Sequence, residues 1–504
     1  MSRNLLIFAD GTSMIGGVHL EETTTNIFKL YRATRSGADS PIDRTQQLAF
    51  YHAGLGAKSQ DSGSLPNPLK ALRRLTSLAM GAGITEHVID CYETILRHYQ
   101  PGDRIFLFGF SRGAYTVRNL AGVLNLCGIP EYVGQAGVTC ARNGAEIRRI
   151  AQAAVTIYEH GAGKDRHQYA PEREERALRF RQHYGAWWQR GQAGEDTHKS
   201  NVAPYFIGVF DTVAALGVSG VKRWIVLGIA ALGAAVATGL LSALLTALFA
   251  LSQPLAVSLA LLLVVMLPIV RSVKQRLRII THYPQTERPN LYRNPGHILP
   301  SLNFRWHLAT WRFKFFDRYL DNRVAYARHA LSIDERRADF ARVPWGVKGD
   351  RAATALEGDS AAPAWFQQVW FAGDHSDIGG GHPEQEAGLA DISLQWMVQQ
   401  LEALPKPPLL NRERLQCFPA PLAPQHCAVS DLREKFPRWW PQAWRFSWSS
   451  QTREIPPDAP LHPSVLQRYQ ADSVLQYSDF KPYRPENLAG HTAVTSKGIT
   501  NIGG

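Results

Sequence analysis

The chain has 504 residues, 45% apolar and 19% charged, which is enough for a large packed core and excludes a disordered chain. Glycine (41) and proline (30) occur at ordinary frequency, so collagen-like and low-complexity architectures are excluded. A surplus of 55 basic over 43 acidic side chains leaves a net charge of +12, favouring an anionic partner such as a phospholipid surface or a nucleic acid.

Met1-Ser2-Arg3 runs directly into Asn4–Ala9, a buried-strand pattern too short for a signal-peptide core. The chain is therefore expected to be made in the cytoplasm without a signal peptide. Asp10-Gly11-Thr12 closes this strand as a turn. Further strands are predicted at Gln47–Tyr51, Arg104–Phe110, Tyr205–Phe210 and Gln368–Phe371, and helices at Thr85–Tyr99, Arg112–Cys127 and Ala390–Leu404. Strands alternating with helices predict an α/β fold: a mostly parallel sheet with helices on both faces. The five cysteines are scattered and lack CxxC spacing, so they imply neither a zinc site nor a disulfide framework.

From Trp224 to Val270 no residue carries a charge. Ser252-Gln253-Pro254 divides this run into arms of about 28 and about 17 residues, against the roughly 20 needed to cross a bilayer. Lys222 and Arg223 precede it, and Arg271, Lys274, Arg276 and Arg278 follow. Matching basic flanks predict a hydrophobic helical hairpin, transmembrane or membrane-inserting, with both ends on one side of a membrane. The alternative is a helix pair buried inside a soluble core. The predicted organisation is a core of residues 1–222 and 272–419, a hairpin at 223–271, and a wrapping C-terminal segment at 420–504. That last segment contains a Trp-, Arg- and Pro-rich run at 435–448.

The strongest chemical signal is Gly109-Phe110-Ser111-Arg112-Gly113, a G-x-S-x-G motif between an apolar strand and a helical pattern. A serine nucleophile at the top of a sheet sits on a sharp strand-to-helix turn, which small residues on either side permit. The Arg112 backbone N–H, at the helix start, and that of Gly11 or Thr12 in the neighbouring loop would hold the oxyanion. The serine needs a base oriented by a carboxylate, in the chain order serine, acid, histidine. Asp211 follows the apolar run Tyr205–Phe210, and His375 follows Gln368–Phe371 in a glycine-rich loop. These three form the expected triad. His329, read as lying on a helix, is an alternative base, and His462 is a later competitor. Asp374 and Asp377 lie too close to His375 in sequence to orient it from behind and are expected to fix its loop. No HExxH, P-loop or GxGxxG is present, so no metal or cofactor is inferred. Nucleic-acid binding is not expected, since the positive charge is dispersed and no binding motif occurs.

The ordered set Phe8–Thr12, Gly109–Ala114, Gly208–Val213, Arg328-His329-Ala330 with Asp334–Arg337, and Trp370–Gly381 resembles the α/β-hydrolase family of type VI secretion phospholipase effectors of the first Tle class. The resemblance implies a Ser-Asp-His lipase acting on phospholipid ester bonds at a membrane. It further implies delivery by the secretion apparatus into a rival bacterium and neutralisation in the producer by an immunity protein. Both His329 and His375 fall in family-like motifs. Two other readings remain: a membrane-disrupting protein acting through its hairpin on an inactive scaffold, and a soluble esterase or thioesterase.

Overall fold

The run Arg104–Phe110 has no polar residue after Arg104 and is buried on both faces, as the central strand of a parallel sheet requires. The structure, a computed structural model, describes residues 2–12, 23–54, 82–133, 144–159, 170–186, 199–213, 319–347, 363–429 and 449–495, with shorter pieces at 14, 16, 138–139, 277–281, 304–308 and within 233–264. Its main sheet has six strands: β1 (Asn4–Ala9), β2 (Gln47–His52), β3 (Arg104–Phe110), β4 (Phe206–Phe210), β5 (Tyr326–Ser332) and β6 (Phe366–Phe371). Their spatial order is β6-β5-β4-β3-β1-β2, with every pair parallel. Its helices include α1 (Asn26–Thr34), α2 (Ala82–His98), α3 (Arg112–Cys127), α4 (Gly144–Tyr158), α5 (Ala170–Tyr184), α6 (His375–Gly379), α7 (Gly388–Glu402) and α8 (Pro463–Gln470). The expected α/β-hydrolase-like architecture is present.

Alternation along each strand sends neighbouring side chains to opposite faces. Leu5, Ile7, Ile105, Leu107 and Val209 meet the buried faces of α2, α3 and α4. Leu6, Phe8, Phe106, Phe108 and Phe210 pack on the other side against α1 and α7, with Phe8 stacked on Phe108 at 4.7 Å between centroids. A third cluster joins Leu331 and Trp370 to Val465, Tyr469 and Tyr483 of the C-terminal segment. There the backbone of Trp370 exchanges hydrogen bonds with Pro460 and His462, extending the edge of the sheet beyond β6. The Trp- and Arg-rich run at 435–448 lies outside the described residues.

One expectation is corrected here. His329 lies on β5, not on a helix. Arg328 and His329 masked the strand because both are polar, yet each is buried and partnered. Arg328 donates to Gln400 and to the Ala327 and Ala364 carbonyls.

The chain divides into two units: residues 1–159, 171–217 and 315–504 form one, and 160–170 with 218–314 the other. In the second, residues 238–248 and 255–264 are helical on either side of the predicted break, while 224–232 and 265–270 lie outside the described residues. Among the described residues, no helix is long and apolar enough to cross a membrane. Leu240, Leu244 and Leu248 recur one helical turn apart and are 70%, 51% and 66% exposed, an arrangement unlike a packed core helix.

Candidate active site

Strand β3 ends at Phe110, and the next residue turns the chain into α3. Ser111 makes that turn at φ 58, ψ −121, a conformation that costs on the order of 1–3 kcal/mol and persists only where its surroundings enforce it. Close packing enforces it here. A Cβ on Gly113 would lie 2.0 Å from the Ala9 carbonyl oxygen, and one on Gly109 would lie 2.5 Å from the Gly113 oxygen. The Ser111 N–H donates to the Phe210 carbonyl at 3.1 Å, tying the turn to the end of β4. Arg112 opens α3, so its N–H is one of the first-turn donors without an acceptor inside the helix. Burial lowers its guanidinium to about 10.

The residue after β4 is Asp211, fully buried and itself at positive φ (35). His375 opens α6 just past β6, and its Nδ1 meets Asp211 Oδ2 at 2.5 Å. The His375 ring contacts those of Phe110 and Phe340, at 4.7 and 5.2 Å between centroids. Its Nε2 is buried without a hydrogen-bond partner among the described residues. The structure thus joins Asp211 and His375 and sets the imidazole against the residue that precedes Ser111. A capping box fixes the histidine's backbone: Asp374 accepts from the Ser376 and Asp377 N–H groups, while Asp377 accepts from that of Asp374. The His375 N–H donates to Glu335 at 3.3 Å. His426 donates to Asp377 through its backbone, and Ala428 to Asp374, so the C-terminal segment clamps this short helix. The ligand atoms of Asp377, His382 and His426 lie within 4.8 Å of one another, close enough for a metal ion.

His329 is elsewhere. Its Nε2 faces Thr212 and its Nδ1 faces Gln368 Oε1, which uses both ring nitrogens inside the sheet. Burial holds the imidazole well below its ordinary pKa. His462 caps α8, with its ring stacked on Phe371.

Arg453 has no counterpart in the sequence reading. From the C-terminal segment it sends Nη1 to Asp211 Oδ1 at 2.5 Å and Nη2 to Oδ2 at 3.0 Å. Burial alone would raise the Asp211 carboxyl, but Arg453 and the bond to His375 outweigh it and hold the group far below the usual carboxylate range. No sequence signal could have linked two residues 242 positions apart. Arg453 also lines a cavity of about 240 Å³ with Glu335, Arg337, Phe340 and Arg342.

The loop after β1 departs from expectation in one respect. The Gly11 N–H, expected to face an oxyanion, donates to Asp10 Oδ1 at 2.6 Å, because a carboxylate one residue earlier reaches it first. The Thr25 and Tyr51 hydroxyls donate to the other Asp10 oxygen, each at 2.6 Å. Burial raises Asp10 to about 6 despite these bonds. Thr12 Oγ1 is buried without a partner among the described residues.

The family described as T6SS, Phospholipase effector Tle1-like, catalytic domain, matches residues 3–236 and 296–400. Ser111, Asp211 and His375 lie inside those limits and Arg453 outside them. An uncharacterized protein of Saccharomyces cerevisiae is 30% identical over 130 residues, or 25% of this chain and 18% of that protein. A crystal structure of an uncharacterized protein from Pseudomonas aeruginosa aligns with a TM-score of 0.32 at 14% identity, over 82% of this chain and 47% of that one. The chain therefore spans less than half the length of each.

Proposed function

Because the chain belongs to the family of Tle1-like phospholipase effector catalytic domains of the type VI secretion system, we propose that it hydrolyses phospholipid carboxylic esters with Ser111 as nucleophile, His375 as base and Asp211 as orienting acid. The observation that carries this reading is the His375–Asp211 hydrogen bond, with the His375 ring 4.7 Å from that of Phe110, the residue before a serine held at a strained strand-to-helix turn.

Asp211, accepting from His375 Nδ1–H, leaves the lone pair on Nε2. Nε2 takes the Ser111 proton as Oγ attacks the ester carbonyl. The Arg112 N–H and Thr12 stabilise the oxyanion, since the Gly11 N–H is already spent on Asp10. The imidazolium returns its proton to the departing lysolipid oxygen, and a water attacks the acyl-enzyme by the same route to release fatty acid. Arg342, in the cavity wall beside Phe340, offers a cation for the phosphodiester. The exposed leucines of 238–248 would enter the acyl region of a bilayer and bring the enzyme to its substrate. Export as an effector, action on a rival's membrane and restraint by an immunity protein complete the proposal.

The test is fatty-acid release from phospholipid vesicles by the wild-type chain and by Ser111→Ala. The expected loss is on the order of 1,000-fold or more, and undiminished release overturns the mechanism. Vesicle leakage retained by the variant without hydrolysis would instead favour membrane disruption by the exposed helices.

A further inference from the structure

On the far side of the nucleophile helix, α2 presents His87 and Cys91 one turn apart, facing His52 at the end of β2. The ligand atoms of the three side chains lie within 4.8 Å of one another, and the two imidazoles meet edge to face at 6.0 Å. His87 is 6% exposed and Cys91 fully buried.

The hydrogen bonds assign the tautomers. Thr116 donates its one hydroxyl proton to the Arg112 carbonyl at 3.1 Å, so toward His87 Nδ1, at 3.4 Å, it acts only as acceptor. His87 therefore carries its proton on Nδ1 and a bare lone pair on Nε2, which is buried with no partner among the described residues. The pattern recurs at His52. Thr94 donates to the Asp90 carbonyl at 3.0 Å and accepts from His52 Nε2 at 3.2 Å, leaving the His52 lone pair on Nδ1. A buried imidazole nitrogen without a donor is costly and asks for an explanation.

We propose that His52, His87 and Cys91 form a binding site for a thiophilic divalent metal ion of the zinc class. Two neutral imidazoles and one thiolate make a donor set that zinc accepts, with a fourth position left to a further donor. Thr94 and Thr116 are the outer-shell groups that hold each ring in its ligating tautomer. A metal takes the Cys91 sulfur as thiolate, so ligation of the thiol releases its proton to solvent. The site differs from the Asp377–His426 cluster, where His426 is already satisfied by Asp377 and Glu386. It does not depend on the hydrolytic reading. Its effect is structural: the ion would bind β2 to α2 and, through Thr116, to the first turn of the helix that follows Ser111.

The experiment strips the purified full-length chain with a chelator and titrates it with Co²⁺ as a spectroscopic probe, then displaces the cobalt with Zn²⁺. The expected result is a thiolate-to-cobalt charge-transfer band that saturates at one equivalent and is absent in Cys91→Ser. Thr116→Val should weaken Zn²⁺ binding by roughly 10- to 100-fold and His87→Gln by more. No charge-transfer band in the wild type, a band that survives in Cys91→Ser, or unchanged affinity in His87→Gln would overturn the proposal. The last variant keeps the test decisive should the cysteine substitution fail to fold.

Discussion

Asp211 is shared between an imidazole and a guanidinium, and both bonds come from residues distant in sequence. Its depressed pKa fixes the sign of its contribution. The stabilisation is present above the unfolded carboxyl value of about 4 and is lost as pH falls below it toward the folded value. Removing the guanidinium leaves a buried carboxylate short of its partner, which costs about 3–5 kcal/mol where such pairs have been broken. Arg453→Ala should therefore lower stability by that order and begin acid unfolding at a higher pH, as denaturant titrations across pH would read. Arg453→Lys, which keeps the charge, should recover part of the loss. Asp334 runs the opposite way. Buried, and accepting from the Gly373 N–H and the Tyr483 hydroxyl, it is raised to about 6 chiefly by burial. A group raised on folding lends stability below its unfolded pKa and loses it as pH climbs through the folded one. Asp334→Asn should abolish a decline on the order of 3 kcal/mol between pH 4 and 7. An unchanged pH profile of unfolding in the variant would show that the carboxyl ionises freely in the fold.

Helix α6 has only five residues, so its position rests on its cap and its clamps rather than on helix propensity. Asp374→Ala removes the cap and the Ala428 anchor together. It should cost about 1–2 kcal/mol of stability and lower kcat far more than it raises KM, because the helix orients His375 without meeting substrate. Equal effects on kcat and KM would contradict that division. The elements that place Asp211, His375 and Ser111 were legible in the sequence because each residue follows an apolar strand, where chain turns bring side chains to one edge of a parallel sheet. Strand β5 was not legible. Its Arg328 and His329 break the apolar run, and only tertiary partners, Gln400, Thr212 and Gln368, make polar side chains tolerable there. The loop after β1 was half legible: a Cβ on Gly11 would lie 3.6 Å from the Ser111 Cβ, so Asp10-Gly11-Thr12 does stand beside Ser111, but the carboxylate captures the Gly11 N–H, a local competition that no spacing rule reveals.

At the scale of the molecule, the C-terminal segment completes the first unit. It extends the sheet past β6, fills the cluster around Trp370 and supplies Arg453 to Asp211. The matched family region ends at residue 400, so this chain draws part of its electrostatics from outside that region. The charge-free insertion belongs to the second unit, and its exposed leucines place apolar surface on a separate body from the chemistry. The proposed mechanism presumes a serine oxygen activated by the His375 imidazole. Treatment of the full chain with a fluorophosphonate, followed by peptide mapping, tests that presumption most directly. The account predicts one covalent adduct, on the peptide containing Ser111, that slows markedly in His375→Gln and keeps its rate in His329→Gln. A folded chain that leaves Ser111 unlabelled, or labels it as fast without His375, would contradict it.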